Sequence, residues 1–168
     1  MGHALPGTVR ERSDIGALRL GMALQYALLP GTIVLCDYDM GGFRPPEMVK
    51  LRPAVIVSPR LRHRDGLCAV VPLSGSVDDA RPLDYVVRFD LDQPLPHPFP
   101  QQVWWAKCDL IATVGFRRLD MFRTERDQTG KRRYLQPRLP PADLGRVRAG
   151  VLFGLGLGSL TEGADLSK

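Results

Sequence analysis

Lys50-Leu51-Arg52-Pro53-Ala54-Val55-Ile56-Val57-Ser58 is followed, after a short basic loop, by Leu67-Cys68-Ala69-Val70-Val71-Pro72-Leu73-Ser74. Both runs are short, rich in β-branched and apolar residues, and bounded by proline, glycine or charge, which is how adjacent strands read. Upstream, Thr32–Tyr38 is a third strand, closed by Gly41-Gly42 and by Pro45-Pro46. Downstream, 84–90, 102–108 and 109–116 have the same character. Between the first two of these, Gln93–Pro100 holds four prolines and reads as a rigid irregular loop. Pro140 and Pro141 suit a helix entrance, although no hydroxyl is placed to cap it. Leu144, Val147, Val151 and Leu155 then recur at helical spacing until Gly154, Gly156 and Gly158 end the helix. Short strands with one late helix predict a mainly β domain with some α, a small barrel with a C-terminal helix.

The expected domain spans 30–158. Residues 1–29 form an N-terminal extension, in which Ile15, Leu18, Met22, Tyr26 and Leu29 fit a short helix, and Met22 is a candidate start. Residues 159–168 are expected to be a flexible tail. At 168 residues the chain suits one domain. No apolar run reaches the ~20 residues that span a bilayer, and the N-terminus lacks a signal-peptide pattern, so a cytoplasmic protein with no membrane contact is expected. Cys36, Cys68 and Cys108 stand far apart in apolar stretches and read as buried single thiols.

Formal charge is +5, and the cations are grouped. From Arg44 to Arg64 there are six against the single anion Glu47, and from Arg117 to Arg138 eight against Asp120, Glu125 and Asp127. This favours an anionic partner, although a charge run alone is usually a solvated face. Thr129-Gly130 marks the second stretch as a hairpin tip or extended loop that could widen an RNA contact or bind a protein partner.

Three pieces occur in order: Pro30-Gly31-Thr32-Ile33-Val34 leading to Asp37-Tyr38-Asp39, then Arg52-Pro53-Ala54-Val55-Ile56-Val57-Ser58, then Val70-Val71-Pro72-Leu73-Ser74. Together they resemble the PemK/MazF toxin family. Val103-Trp104-Trp105-Ala106-Lys107-Cys108-Asp109-Leu110-Ile111 resembles a later strand of that family. The resemblance implies an SH3-like small β-barrel of PemK/MazF type, acting as a homodimer. It implies the toxin of a type II toxin–antitoxin system, restrained by a cognate antitoxin. Its activity would be metal-independent, sequence-selective endoribonuclease cleavage of single-stranded RNA, with no cofactor and no metal site. Attack by the 2′-hydroxyl would leave a cyclic phosphate and a free 5′-hydroxyl. The alternative is a non-catalytic toxin or binding module on the same barrel, either a gyrase inhibitor or an RNA binder.

By the resemblance, the catalytic arginine falls on Arg52 and the catalytic hydroxyl on Ser74. The chemistry suits both. A guanidinium holds two phosphate oxygens and stays charged, while a serine donates to or orients a reacting oxygen. An Arg-Pro entering a strand and a Ser ending one also have structural readings, as a snorkelling cation and a turn residue. Lys50, Arg60, Arg62, His63, Arg64 and Lys107 are the candidate RNA-binding residues, with His63 also weighed as a base. Asp37 and Asp39 either orient cations or cap a turn. Of Trp104 and Trp105, one belongs to the core and the other is free to stack on a base or to lie in a dimer interface.

Overall fold

The computed structural model describes residues 24–76 and 83–167. The strands are β1 (Ile33–Asp37), β2 (Leu51–Ile56), β3 (Leu67–Ser74), β4 (Val86–Asp90), β5 (Val103–Lys107), β6 (Ala112–Gly115), β7 (Leu119–Asp120), β8 (Phe122–Arg126) and β9 (Arg132–Leu135). One helix, α1 (Pro141–Gly154), follows them. The main sheet is antiparallel in the order β4-β5-β3-β2-β1-β7, with β6 also on β3, and β8-β9 form a separate hairpin.

Two cores sandwich the central strands, which explains their unbroken apolar runs. Ile33, Leu35, Val55, Val71 and Leu73 face α1 through Leu144, Val147 and Val151. The alternate residues Val34, Cys36, Ala54, Ile56 and Val70 pack with Tyr38, Val114, Leu119 and Leu24 on the other face. Period-two alternation makes both cores from the same strands.

The barrel does not close. Edge strands β4 and β7 find no partner in each other. The strand opposite β3 is interrupted: Leu73 pairs with Ala106 and Val70 with Ala112, so six steps of one chain face three of the other. The surplus is taken up by a 3-10 turn at Cys108–Leu110, which drives Cys108 into the core. The apolar interior is sealed there by α1 rather than by another strand. A Cβ on Gly150 would lie 2.8 Å from Cys108 Sγ and 3.0 Å from Val87 Cγ2, so only glycine lets the helix come this close.

The helix entrance lacks a side-chain cap, as expected, and Leu144 N–H reaches the Pro140 carbonyl. Leu155, counted on the buried stripe from its spacing, lies past the helix end and is 60% exposed. The chain turns away at the glycines before Leu155 can reach the sheet. The tail expected to fray is placed against the helix, with Arg148 Nη1 donating to the Leu166 carbonyl at 2.9 Å. Most of the expected N-terminal helix lies outside the described residues. Its described end, 24–29, is not helical, and Leu24 N–H donates to Leu119 O at 3.2 Å.

Candidate active site

Arg52 and Ser74 are brought together by strand register. The β2–β3 ladder ends with Ala54 paired to Pro72, and the same register continued by two residues sets Arg52 across from Ser74. Pro53 and Pro72 have no N–H to give, so this ladder ends there. On the far side Ser74 pairs with Trp105, and Trp105 pairs with Arg88. On the near side Arg52 pairs with the buried Cys36. Opposed residues in an antiparallel sheet share a face, with Cα atoms about 5 Å apart. Arg52, Ser74, Trp105 and Arg88 therefore form one transverse row, and Lys107 flanks it on the same face. The second core reaches the row on the β1 side, where Cys36 and Tyr38 are buried with Phe43 and Met48 packed against them.

Within the row, Arg52 is half-buried and its Nε donates to the Val49 carbonyl at 2.9 Å. Among the described residues its two terminal nitrogens have no hydrogen-bond partner, so the fork is available to an anion. Ser74 Oγ donates to the Ser76 carbonyl at 2.7 Å and receives the Ser76 N–H at 3.3 Å. That is a local turn of the kind serines favour, and a single χ1 rotation would turn the hydroxyl into the row. Arg88 is held by Asp90 through two bonds of 3.0 Å. Both partners are more than half exposed, so the pair is weak and exchangeable.

Trp104 is the core tryptophan, with Nε1 donating to the Gln101 carbonyl at 3.0 Å. Trp105 is half-buried on the row face.

The loop between β1 and β2 borders Arg52. Asp37 Oδ1 receives Met40 N–H at 2.9 Å, and Asp39 Oδ1 receives Lys50 N–H at 2.8 Å. Asp37 thus forms a turn, and Asp39 ties the two ends of the loop together. Lys50 takes a left-handed φ of 72°, strained for a side chain with a Cβ, and those bonds hold it there. The residue is exposed and stands two positions before Arg52.

The remaining predicted RNA-binding residues lie elsewhere. Arg60, Arg62, His63 and Arg64 occupy the β2–β3 loop, at the opposite end of these strands from Arg52 and Ser74. At about 3.3 Å per residue, β2 alone separates them from the row by about 15 Å. Arg60 is paired with Asp65 at 2.9 Å, both more than three-quarters exposed. His63, at φ 58°, is a turn residue too remote to serve as base for this row. Proximity in sequence misled here because a hairpin sends its loop away from its strand ends.

Sequence reasoning missed Arg88 and Arg118. The alternation Val87-Arg88-Phe89-Asp90 carried the signal for Arg88. Arg118, only 7% exposed, bonds residues some 80 positions away and left no local signal. The basic stretch near the C-terminus is a hairpin, β8–β9. At its tip Asp127 Oδ1 receives Thr129 Oγ1–H and the N–H groups of Thr129 and Lys131, and the Thr129 hydroxyl is the main cause holding the Asp127 carboxyl below the usual range. All three cysteines are free and buried. Burial pushes the thiols of Cys36, Cys68 and Cys108 up to about 12, 11 and 12.

The family model of the PemK-like, MazF-like toxin of type II toxin–antitoxin systems matches residues 29–137, the span that contains every strand of both sheets. The chain belongs to this family. Among its relatives is the uncharacterized protein YifN of Escherichia coli (strain K12), 31% identical over 156 residues, covering 83% of this chain and 99% of YifN. A solved structure similar to it is the Mycobacterium tuberculosis toxin MazF-mt6, at 18% identity and a TM-score of 0.49, over 75% of this chain and 97% of that one. Arg52 and Ser74 both lie inside the span shared with PemK-like, MazF-like toxins. As a toxin of this class the chain implies an antitoxin partner. Among the described residues no helix is long and apolar enough to cross a membrane.

Proposed function

We propose that the protein is the endoribonuclease toxin of a type II toxin–antitoxin system, cutting single-stranded RNA at short sequences through the substrate's own 2′-hydroxyl. The observation that carries this reading is the strand register that sets Arg52 across from Ser74, with the Arg52 fork unengaged among the described residues.

RNA cleavage of this kind builds negative charge on the non-bridging phosphate oxygens as the 2′-oxygen attacks and the 5′-oxygen leaves. The two terminal nitrogens of Arg52 meet those oxygens as a planar, permanently charged pair. Stabilising charge that develops only in the transition state is the most effective use of such a group. Ser74 donates its hydroxyl to a phosphate oxygen after leaving the Ser76 carbonyl. In this reading the row supplies charge stabilisation and orientation, and no residue has the role of proton acceptor. Trp105 offers a π-face for a base next to the cut, and Lys50 and Lys107 contact flanking phosphates. A homodimer, a cognate antitoxin covering the row, and action on RNA in the cytoplasm complete the proposal.

The engaged hydroxyl of Ser74 favours one second reading, a barrel-like module that binds RNA or another target without cutting. Cleavage of a long single-stranded RNA in EDTA separates the two. Cuts ending in cyclic phosphate and 5′-hydroxyl, absent in Arg52→Ala and Ser74→Ala, support the enzyme. Intact RNA with folded, antitoxin-free protein supports the binder.

A further inference from the structure

We infer that Arg118 is a positioning residue for the Arg52 centre, acting through the 38–50 loop; the kinetic part of this inference rests on the ribonuclease reading. Arg118 precedes β7, whose Leu119 pairs with Cys36 of β1, so its backbone is anchored to the sheet. From there its Nε donates to the Asp37 carbonyl at 3.0 Å and its Nη2 to the Tyr38 carbonyl at 3.4 Å. Its guanidinium lies 4.7 Å from the centroid of the Phe43 ring, which meets the Tyr38 ring edge-on at 5.7 Å. Gly41 lies flat on the same guanidinium, where a Cβ would collide with it. One side chain therefore holds the loop at its start, its turn and its aromatic corner.

The far end of the loop is tied to the near end. Tyr38 N–H donates to the Lys50 carbonyl at 3.2 Å, and Lys50 N–H donates to Asp39 Oδ1 at 2.8 Å. The Val49 carbonyl then receives Arg52 Nε. Arg118 thus sets the loop, the loop sets Val49, and Val49 sets the direction of the Arg52 fork. No carboxylate is within ion-pair distance of Arg118 among the described residues, so this is not a salt bridge placed for charge balance. Burying a guanidinium without such a partner is costly. Its planar fork matches two adjacent carbonyls and a ring, which neither lysine nor an apolar side chain reproduces.

The test uses the full chain and two variants that reach the clamp from opposite sides. Arg118→Lys keeps the charge and loses the fork. Gly41→Ala leaves Arg118 in place but pushes the loop off it. Both are first shown by melting to be folded at the assay temperature. In both, hydrogen exchange at the Tyr38 and Lys50 amides and tryptic cutting after Lys50 are expected to rise without RNA present. On RNA, kcat is expected to fall about 10- to 100-fold with KM within about twofold, since a misdirected fork costs transition-state contact more than binding. The double variant is expected to be no slower than the slower single one. Unchanged exchange and unchanged kcat in both folded variants would overturn the inference. If the wild type leaves RNA intact while exchange rises in both variants, the clamp stands and the ribonuclease reading falls.

Discussion

Replacing Arg52 by lysine isolates what the guanidinium contributes beyond its charge. The substitution retains one positive charge on a stem of similar length. It removes the 2.9 Å bond from Nε to the Val49 carbonyl, together with the second terminal nitrogen. Loss of one charge-assisted contact made in the transition state costs about 3 kcal/mol, which predicts a kcat about 100-fold lower. Arg52→Ala removes both contacts and the charge, and is expected to lose at least a further tenfold. The structural cost is small by comparison. One partly buried hydrogen bond is worth about 1 kcal/mol, or roughly 2–4 °C in Tm for a domain of this size. Single-turnover cleavage of an end-labelled RNA in EDTA gives the rate, and thermal melting by circular dichroism gives the stability. An Arg52→Lys protein that cleaves within threefold of the wild-type rate would refute the assignment of a bidentate phosphate contact. Equal losses in rate and folded fraction would reassign Arg52 to a structural role.

Other perturbations test the fold and the separation of the two basic regions. Gly150→Ala gains about 1 kcal/mol of helix propensity but places a Cβ at 2.8 Å from Cys108 Sγ. Overpacking at about 1–3 kcal/mol should win, and the urea midpoint should fall. The Cys36 thiol, held near 12 by burial against an ordinary value of 9.0, keeps its proton in the folded chain after the unfolded chain has lost it. Stability is therefore full below about pH 9 and lost as pH rises towards 12, which denaturant titrations across that range will show, and native protein should be inert to a thiol reagent at pH 8. Arg62→Gln with Arg64→Gln should leave cleavage of a short oligonucleotide within about twofold, because these residues lie beyond the far end of β2. A tenfold loss on the short substrate would show that the β2–β3 loop reaches the reacting phosphate after all.

The row explains why so small a site can be read from strand pattern. Four strands contribute one side chain each; Ser74 to Trp105 and Trp105 to Arg88 are paired residues, and Arg52 joins them by continuing the β2–β3 register two residues past Ala54 and Pro72. Shifting any strand by one residue would move its member to the opposite core. Arg52 is held in register partly by apolar neighbours: Leu51 and Pro53 face the α1 core, so Arg52 must face the other way.

What the chain's pattern determined alone was local and periodic. Apolar alternation marked six of the strands, the Leu144-Val147-Val151 spacing marked the helix, and Thr129-Gly130 marked the hairpin tip, because each of these rests on neighbours a few residues apart. Arg52 and Ser74 stood out through the ordered motifs in which they sit. The tertiary structure decided the rest. The sheet stays open because its edge strands β4 and β7 do not pair with each other, and no local pattern records whether two distant strands meet. The six candidate RNA-binding residues separate into Lys50 and Lys107 near the row and Arg60, Arg62, His63 and Arg64 at the far pole, since a basic run carries no direction. Arg118 enters the site's support through carbonyls some 80 residues away and the Phe43 ring, contacts that exist once β7 has paired with β1 and not before.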